Sequence, residues 1–230
     1  MSNLKQIFSN RINWGRSIFF AAFIVLCWFY NLDKTLSGKP QSIHIWRQTN
    51  SLSIALNFYD HGNSLFEPQI HNQFCDDGMS GKTAGEFPIV YFAVAKLWKL
   101  FGVHEWIFRL VQLIILFLGL FALFEICFHF LKNQFWSGFI SLLLFTSPIF
   151  VFYGINFLPD GTSLALIFIA WYCVLKFQAN QKKMWLWVAS IFFTLAIVLK
   201  ITIAISLIAF VDENPLVYGA SGMSIYQSEN

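Results

Sequence analysis

Four ionisable side chains in this chain are hard to explain as ordinary surface charge: Lys200, Asp160, Arg47 and Glu86. Lys200 is the only charge in the apolar stretch 191–210. At the centre of a membrane span an uncompensated charge costs at least about 2.5–3.5 kcal/mol. It is therefore expected to reach a partner, a water-filled cavity or an anionic ligand. Asp160 lies in Phe157-Leu158-Pro159-Asp160-Gly161-Thr162, between two apolar runs. There a carboxylate can cap the following helix by accepting first-turn N–H groups, and it can also serve as a general base. Both roles can hold together. Arg47, in His44-Ile45-Trp46-Arg47-Gln48-Thr49, and Glu86, before Phe87-Pro88, each read alone as a surface ion-pair partner. His44 and Gln48 are the neighbouring candidates for substrate contact.

Other suggestive groups carry less. Asp76-Asp77-Gly78 is first a turn sequence. Gly81-Lys82-Thr83 resembles the end of a phosphate loop, but Asp76 stands where that loop needs glycine and no strand precedes it. His44, His61 and His71 lack metal-ligand spacing. Glu125 and His129 are four apart near the end of an apolar run, where a solvated pair is expected.

The elements that must position these residues are membrane helices. Only 12% of the 230 residues are charged, about half the share in soluble domains, while 57% are hydrophobic and mean hydropathy is +0.60. A net charge of +3 from scattered basic residues is too small to suggest nucleic acid, and none is expected as a partner. Cys27, Cys127 and Cys173 lie in apolar runs, leaving Cys75 alone in polar sequence, so neither a disulfide framework nor paired metal ligands is expected.

Residues 1–16 carry Lys5, Arg11 and Arg16 without an acid and form a basic N-terminus. The run 17–31 follows with no small-residue cleavage site, so an uncleaved anchor is expected, with the N-terminus in the cytoplasm. Residues 32–105 form a large polar loop outside. Within it 51–59 has helical apolar spacing, ending near Gly62, and 88–101 is an amphipathic helix of interfacial length. Lys96 and Lys99 share one face of that helix, opposite Val90, Val94, Leu97 and Phe101. Four spans are then predicted over 106–131, 135–153, 158–177 and 185–210, followed by a polar tail, 211–230. If 88–101 lies in the interface, Lys132, Lys176, Lys182 and Lys183 all fall in the cytoplasm, and Asp160 faces the same compartment as the loop. The predicted fold class is an all-α, polytopic transmembrane helix bundle with a large extracytoplasmic first loop containing amphipathic interfacial helices.

The order of motifs resembles the integral-membrane glycosyltransferases of the GT-C superfamily, in the branch of protein mannosyltransferases and bacterial aminoarabinose-lipid A transferases. The matching pieces are a loop helix with Ala55 and Gly62, Glu86-Phe87-Pro88-Ile89-Val90-Tyr91, Leu100-Phe101-Gly102-Val103-His104-Glu105 with Arg109, Thr146-Ser147-Pro148 with Tyr153 and Pro159-Asp160, and Leu199-Lys200. The resemblance implies transfer of a sugar from a polyprenyl-phosphate donor to an acceptor outside the cytoplasm. It implies an enzyme of a bacterial inner membrane, with membrane lipid as a further partner. By the same resemblance Asp160 is the general base or orienter and Lys200 holds the donor phosphate.

Two departures follow. Where many relatives carry an acidic pair this chain has Arg47 and Gln48, and where many carry lysine before the proline it has Glu86. A charge swap, with Arg47 and Glu86 replacing an acid–lysine couple, is expected, and loss of the acidic pair disfavours a divalent metal. Relatives also carry about twice as many spans, so the resemblance covers a donor-side, N-terminal half and raises a truncated enzyme as an expectation. The alternatives are a non-catalytic polytopic protein that binds or handles lipid-linked sugars, or an inactive fragment. A small transporter is disfavoured because no inverted repeat or broken-helix pair is legible.

Overall fold

The computed structural model describes residues 14–72, 78, 80–83 and 85–213. Lys5 and Arg11, the Cys75-Asp76-Asp77 turn and most of the polar tail lie outside these residues. The chain is an all-α membrane helix bundle. Its helices are α1 (Trp14–Phe29), α2 (Leu32–Leu36), α3 (Ile45–Asp60), α4 (Ile89–Phe101), α5 (Glu105–Leu131), α6 (Gln134–Phe145), α7 (Pro148–Ile155), α8 (Pro159–Asn180), α9 (Lys183–Leu199) and, after a short 3-10 turn at Ile201–Ile203, α10 (Ala204–Glu213). Among the described residues β-pairing is confined to one antiparallel bridge, Gln69 with Lys82.

Length and apolarity separate these helices. α5, of 27 residues, and α8, of 22, are long and apolar enough to cross a membrane. α6 and α7 qualify only as a pair, bent by 72°. α1 and α9 are apolar but have 16 and 17 residues, about 24–26 Å of helix against a hydrocarbon core of about 30 Å.

The bend corrects the expectation of one continuous helix over 135–153. Ser147 caps α7 by accepting from Phe150 N at 3.5 Å, and Pro148 occupies the first turn. A cap followed by proline starts a new helix instead of continuing the old one. The span expected over 185–210 is interrupted too: α9 stops at Leu199 and Lys200 is extended (φ −149, ψ 102). Both interruptions fall inside stretches expected as spans, and the bent pair can still form a single broken span. In the loop, the helix expected over 51–59 begins at Ile45, so Trp46, Arg47, Gln48 and Thr49 are helical.

Two cores hold the bundle. One joins α1, α5, α6 and α7 through Phe19, Phe23, Leu116, Leu120, Phe145 and Val151. The other seats the loop helices α3 and α4 on α5, α8 and α9 through Ala55, Phe58, Val94, Trp98, Phe108 and Phe193. α4 buries Val90, Tyr91, Val94, Ala95 and Trp98; Phe101, expected on the apolar face, is 64% exposed. α5 and α8 approach closely at Gly119, where an added Cβ would lie 2.5 Å from Ala165 Cα. From that core the first turn of α3 reaches the start of α8, where Arg47 meets Asp160.

Candidate active site

Each of the four singled-out side chains is placed by a different element. Arg47 stands in the first turn of α3 and Glu86 just before α4, while Asp160 opens α8 and Lys200 follows α9. Leu158, not Asp160, is the N-cap of α8, and no side chain caps that end. The capping role considered for Asp160 is thus not the one observed. Its carboxylate is directed away from its own helix, with Oδ1 2.6 Å from Lys200 Nζ and Oδ2 3.1 Å from Arg47 Nη2. The same Arg47 nitrogen donates to Glu86 Oε1 at 2.5 Å. Four charges thus form one row: Glu86, Arg47, Asp160, Lys200.

The row continues into the protein. Tyr91 donates its hydroxyl proton to Glu86 Oε2 at 3.1 Å, and Ser51 Oγ lies 3.1 Å from the Tyr91 oxygen. Tyr91 is pushed well above its ordinary pKa, first by burial and then by the charge on Glu86, so it remains a neutral donor. For Arg47 burial works against the charge, but Glu86 and Asp160 more than offset it and raise its pKa. The four charged side chains keep 22–33% of their surface exposed. Ion pairs this wet contribute only about 0–1 kcal/mol each to folding. Their larger effect is to fix where the charges stand.

Lys200 has a different setting from the one expected. It sits at a helix break, one-third exposed and paired with Asp160, rather than inside a continuous helix. Phe87 N donates to Val198 O at 3.3 Å, which joins the Glu86 segment to the end of α9. Beside this junction opens a cavity of about 770 Å³ lined by Leu65, Phe66, Pro68, Phe87, Pro88, Ile197 and Val198, with Glu86 and Lys200 also on its wall. That volume is in the range of small-molecule sites. A mostly apolar wall carrying one ammonium and one carboxylate suits an amphiphile with a polar head.

His44 and Gln48 stand apart from the row. Gln48 is fully buried, and its Nε2 donates to the carbonyls of Gln41 and Ile43 at 3.0 and 2.9 Å. It holds the turn before α3 and exposes no group at the surface. His44, left-handed at φ 57, is exposed at the start of α3, with its ring 5.9 Å from that of Tyr153.

No three His, Cys, Asp or Glu side chains converge among the described residues. Asp160 and Glu86 are bridged by Arg47 and present compensated charge, which is a poor donor set for a divalent cation.

Residues 85–217 match the family described as dolichyl-phosphate-mannose-protein mannosyltransferase. The chain belongs to that family. It is accordingly a mannosyltransferase-like membrane glycosyltransferase, and the matched segment contains Glu86, Asp160 and Lys200. No curated protein and no solved structure matches the chain.

Three further polar side chains of this mannosyltransferase-family chain, Glu125, Gln112 and Arg109, have partners that no local sequence pattern indicates. Glu125, expected to be solvated, has a buried side chain and takes Arg16 bidentately, Nε to Oε1 at 2.6 Å and Nη2 to Oε2 at 2.9 Å. Thirteen residues along α5 separate Glu125 from Gln112, about 20 Å of helix, so this pair is remote from Asp160. Gln112 itself is fully buried beside the turn that carries Asp160. Arg109 buries its guanidinium over the Phe157 ring, 4.6 Å from the centroid, and donates to Thr35 O and Lys39 O. It thereby ties the loop to the top of α5.

Proposed function

We propose that this chain transfers a sugar from a polyprenyl-phosphate-linked donor to a hydroxyl of an acceptor outside the cytoplasm, in a bacterial inner membrane. In this reading the donor phosphate binds at Lys200, with the first part of its lipid chain in the adjoining cavity and the rest in the bilayer. The acceptor oxygen attacks the anomeric carbon and its proton passes to Asp160. The bond from that carbon to the phosphate oxygen breaks, and polyprenyl phosphate leaves as an anion held by Lys200. Arg47, braced by Glu86, keeps Asp160 facing the acceptor.

The observation that carries this reading is the position of Asp160, with a cation on each oxygen and an amphiphile-sized cavity beside one of them. One hydrogen bond on each oxygen leaves further lone pairs for an acceptor proton. The reaction needs no charge to be brought in, since the ammonium that meets the leaving phosphate is already in place. A second reading, a non-catalytic handler of lipid-linked sugars, draws on the same cavity and on the full pairing of both carboxylates. Purified protein in nanodiscs, given a panel of polyprenyl-phosphate sugars and acceptors, separates the two. Transfer or release of polyprenyl phosphate supports the enzyme; binding without turnover supports the handler.

A further inference from the structure

Gln112 spends its whole side chain on the turn that delivers Asp160. Nε2 donates to the backbone carbonyls of Asn156 and Leu158, each at 2.9 Å. Oε1 accepts the hydroxyl proton of Thr162. These partners bracket Asp160: two lie in the break between α7 and α8 and the third lies in the first turn of α8. We infer that Gln112 is a positioning residue that sets the Asp160 carboxylate between Arg47 and Lys200. The inference rests on the reading of Asp160 as the base.

Only a primary amide of this length supplies two donors and one acceptor from a single planar group. Glutamate would keep the acceptor and lose both donors; leucine would fill the space and lose all three. No side chain caps the N-terminus of α8, and the bonds from Gln112 to Asn156 O and Leu158 O hold the carbonyls just ahead of it. The turn has little slack, because a Cβ added to Gly161 would lie 2.4 Å from Gly154 Cα. A shift of the 156–158 carbonyls therefore passes to Asp160. Its distance to Lys200 is short enough that a displacement of about 1 Å breaks the contact. Misplacing a reacting group by that much costs up to about 100-fold in rate.

The test compares kcat and donor KM for the full chain in nanodiscs carrying Q112L, Q112E, T162V, D160N and the D160N/Q112L double change. Positioning predicts that Q112L and Q112E lower kcat about 10- to 100-fold with donor KM within about threefold of the parent. T162V, which removes one bond and keeps the packing, lowers kcat about 3- to 10-fold and covers the case in which the Gln112 variants fold poorly. In the D160N background Q112L costs less than about twofold more, because the group it positions is gone. A merely structural role predicts the same fold loss in both backgrounds, and that result overturns the inference. So does parental kcat in T162V and Q112L when D160N is impaired. Parental turnover in D160N instead removes the reading beneath, and the inference with it.

Discussion

Lys200 sets its ammonium 2.6 Å from Asp160 Oδ1, closing the open end of the hairpin that α8 and α9 form from their turn at 181–182. The contact exists because α9 ends one residue earlier and the backbone at Lys200 is extended. The break thereby leaves the Lys200 ammonium part-exposed on the wall of a cavity and paired with Asp160.

From this placement, Lys200→Met raises donor KM about 10- to 100-fold, as expected when one partner is removed from a charged contact to an anion. Lys200→Arg keeps part of the affinity. Steady-state kinetics with a polyprenyl-phosphate sugar check both. An unchanged donor KM in Lys200→Met contradicts a phosphate role.

Arg47 and Glu86 are expected to act as a couple. Arg47→Glu and Glu86→Arg each lower kcat/KM at least about 10-fold, the first by grouping three carboxylates and the second by setting two guanidinium groups side by side. The double exchange restores the contact between positions 47 and 86 but leaves a carboxylate beside Asp160, so it recovers only part of the loss. Transfer measured in the three variants decides the point, and a double exchange no better than the singles ends the pairing account.

The Arg16–Glu125 pair predicts a stability effect away from the site. Arg16→Met leaves Glu125 buried without its partner. Loss of one member of a fully buried pair costs about 3–5 kcal/mol, and because Arg16 is about one-third exposed the expected loss is nearer 1–3 kcal/mol. Thermal unfolding in detergent shows the drop, and Arg16→Met with Glu125→Gln restores most of it. Transfer per folded molecule is unchanged.

What the sequence could reveal followed its local signals. Long apolar runs locate α5 and α8, and Asp160 and Lys200 draw notice because a charge beside or within such runs is costly. Ser147-Pro148 is a helix-start signal, yet the apolar residues on both sides masked it as one span. The end of α9 has no such local marker; Leu199 and Ile201 are as apolar as what surrounds them. Glu125 looked solvated because its partner Arg16 is 109 residues away in sequence. Gln112 is neutral, and nothing in Arg109-Leu110-Val111-Gln112 announces that its amide reaches a turn more than forty residues later. Pairings of this kind depend on helix packing, which no local pattern records.

Tyr91 supplies a pH test. Its folded pKa is raised by burial first and by Glu86 second, so the folded state holds its proton more tightly than the unfolded chain does. The stability this contributes is fully present below the unfolded value of about 10 and is lost as pH rises above it. Between the parent and Tyr91→Phe, the difference in thermal midpoint is expected to stay constant below about pH 10 and to move against the parent above it. A constant difference across the whole range contradicts a buried, proton-retaining Tyr91.

In the proposed reaction Asp160 takes the acceptor proton during sugar transfer. Single-turnover transfer from a polyprenyl-phosphate sugar by Asp160→Asn, which keeps the side chain's size and removes its basicity, tests this step. The expected rate is lower by about 100- to 10,000-fold with donor binding retained. Transfer at the parent rate in Asp160→Asn would contradict it.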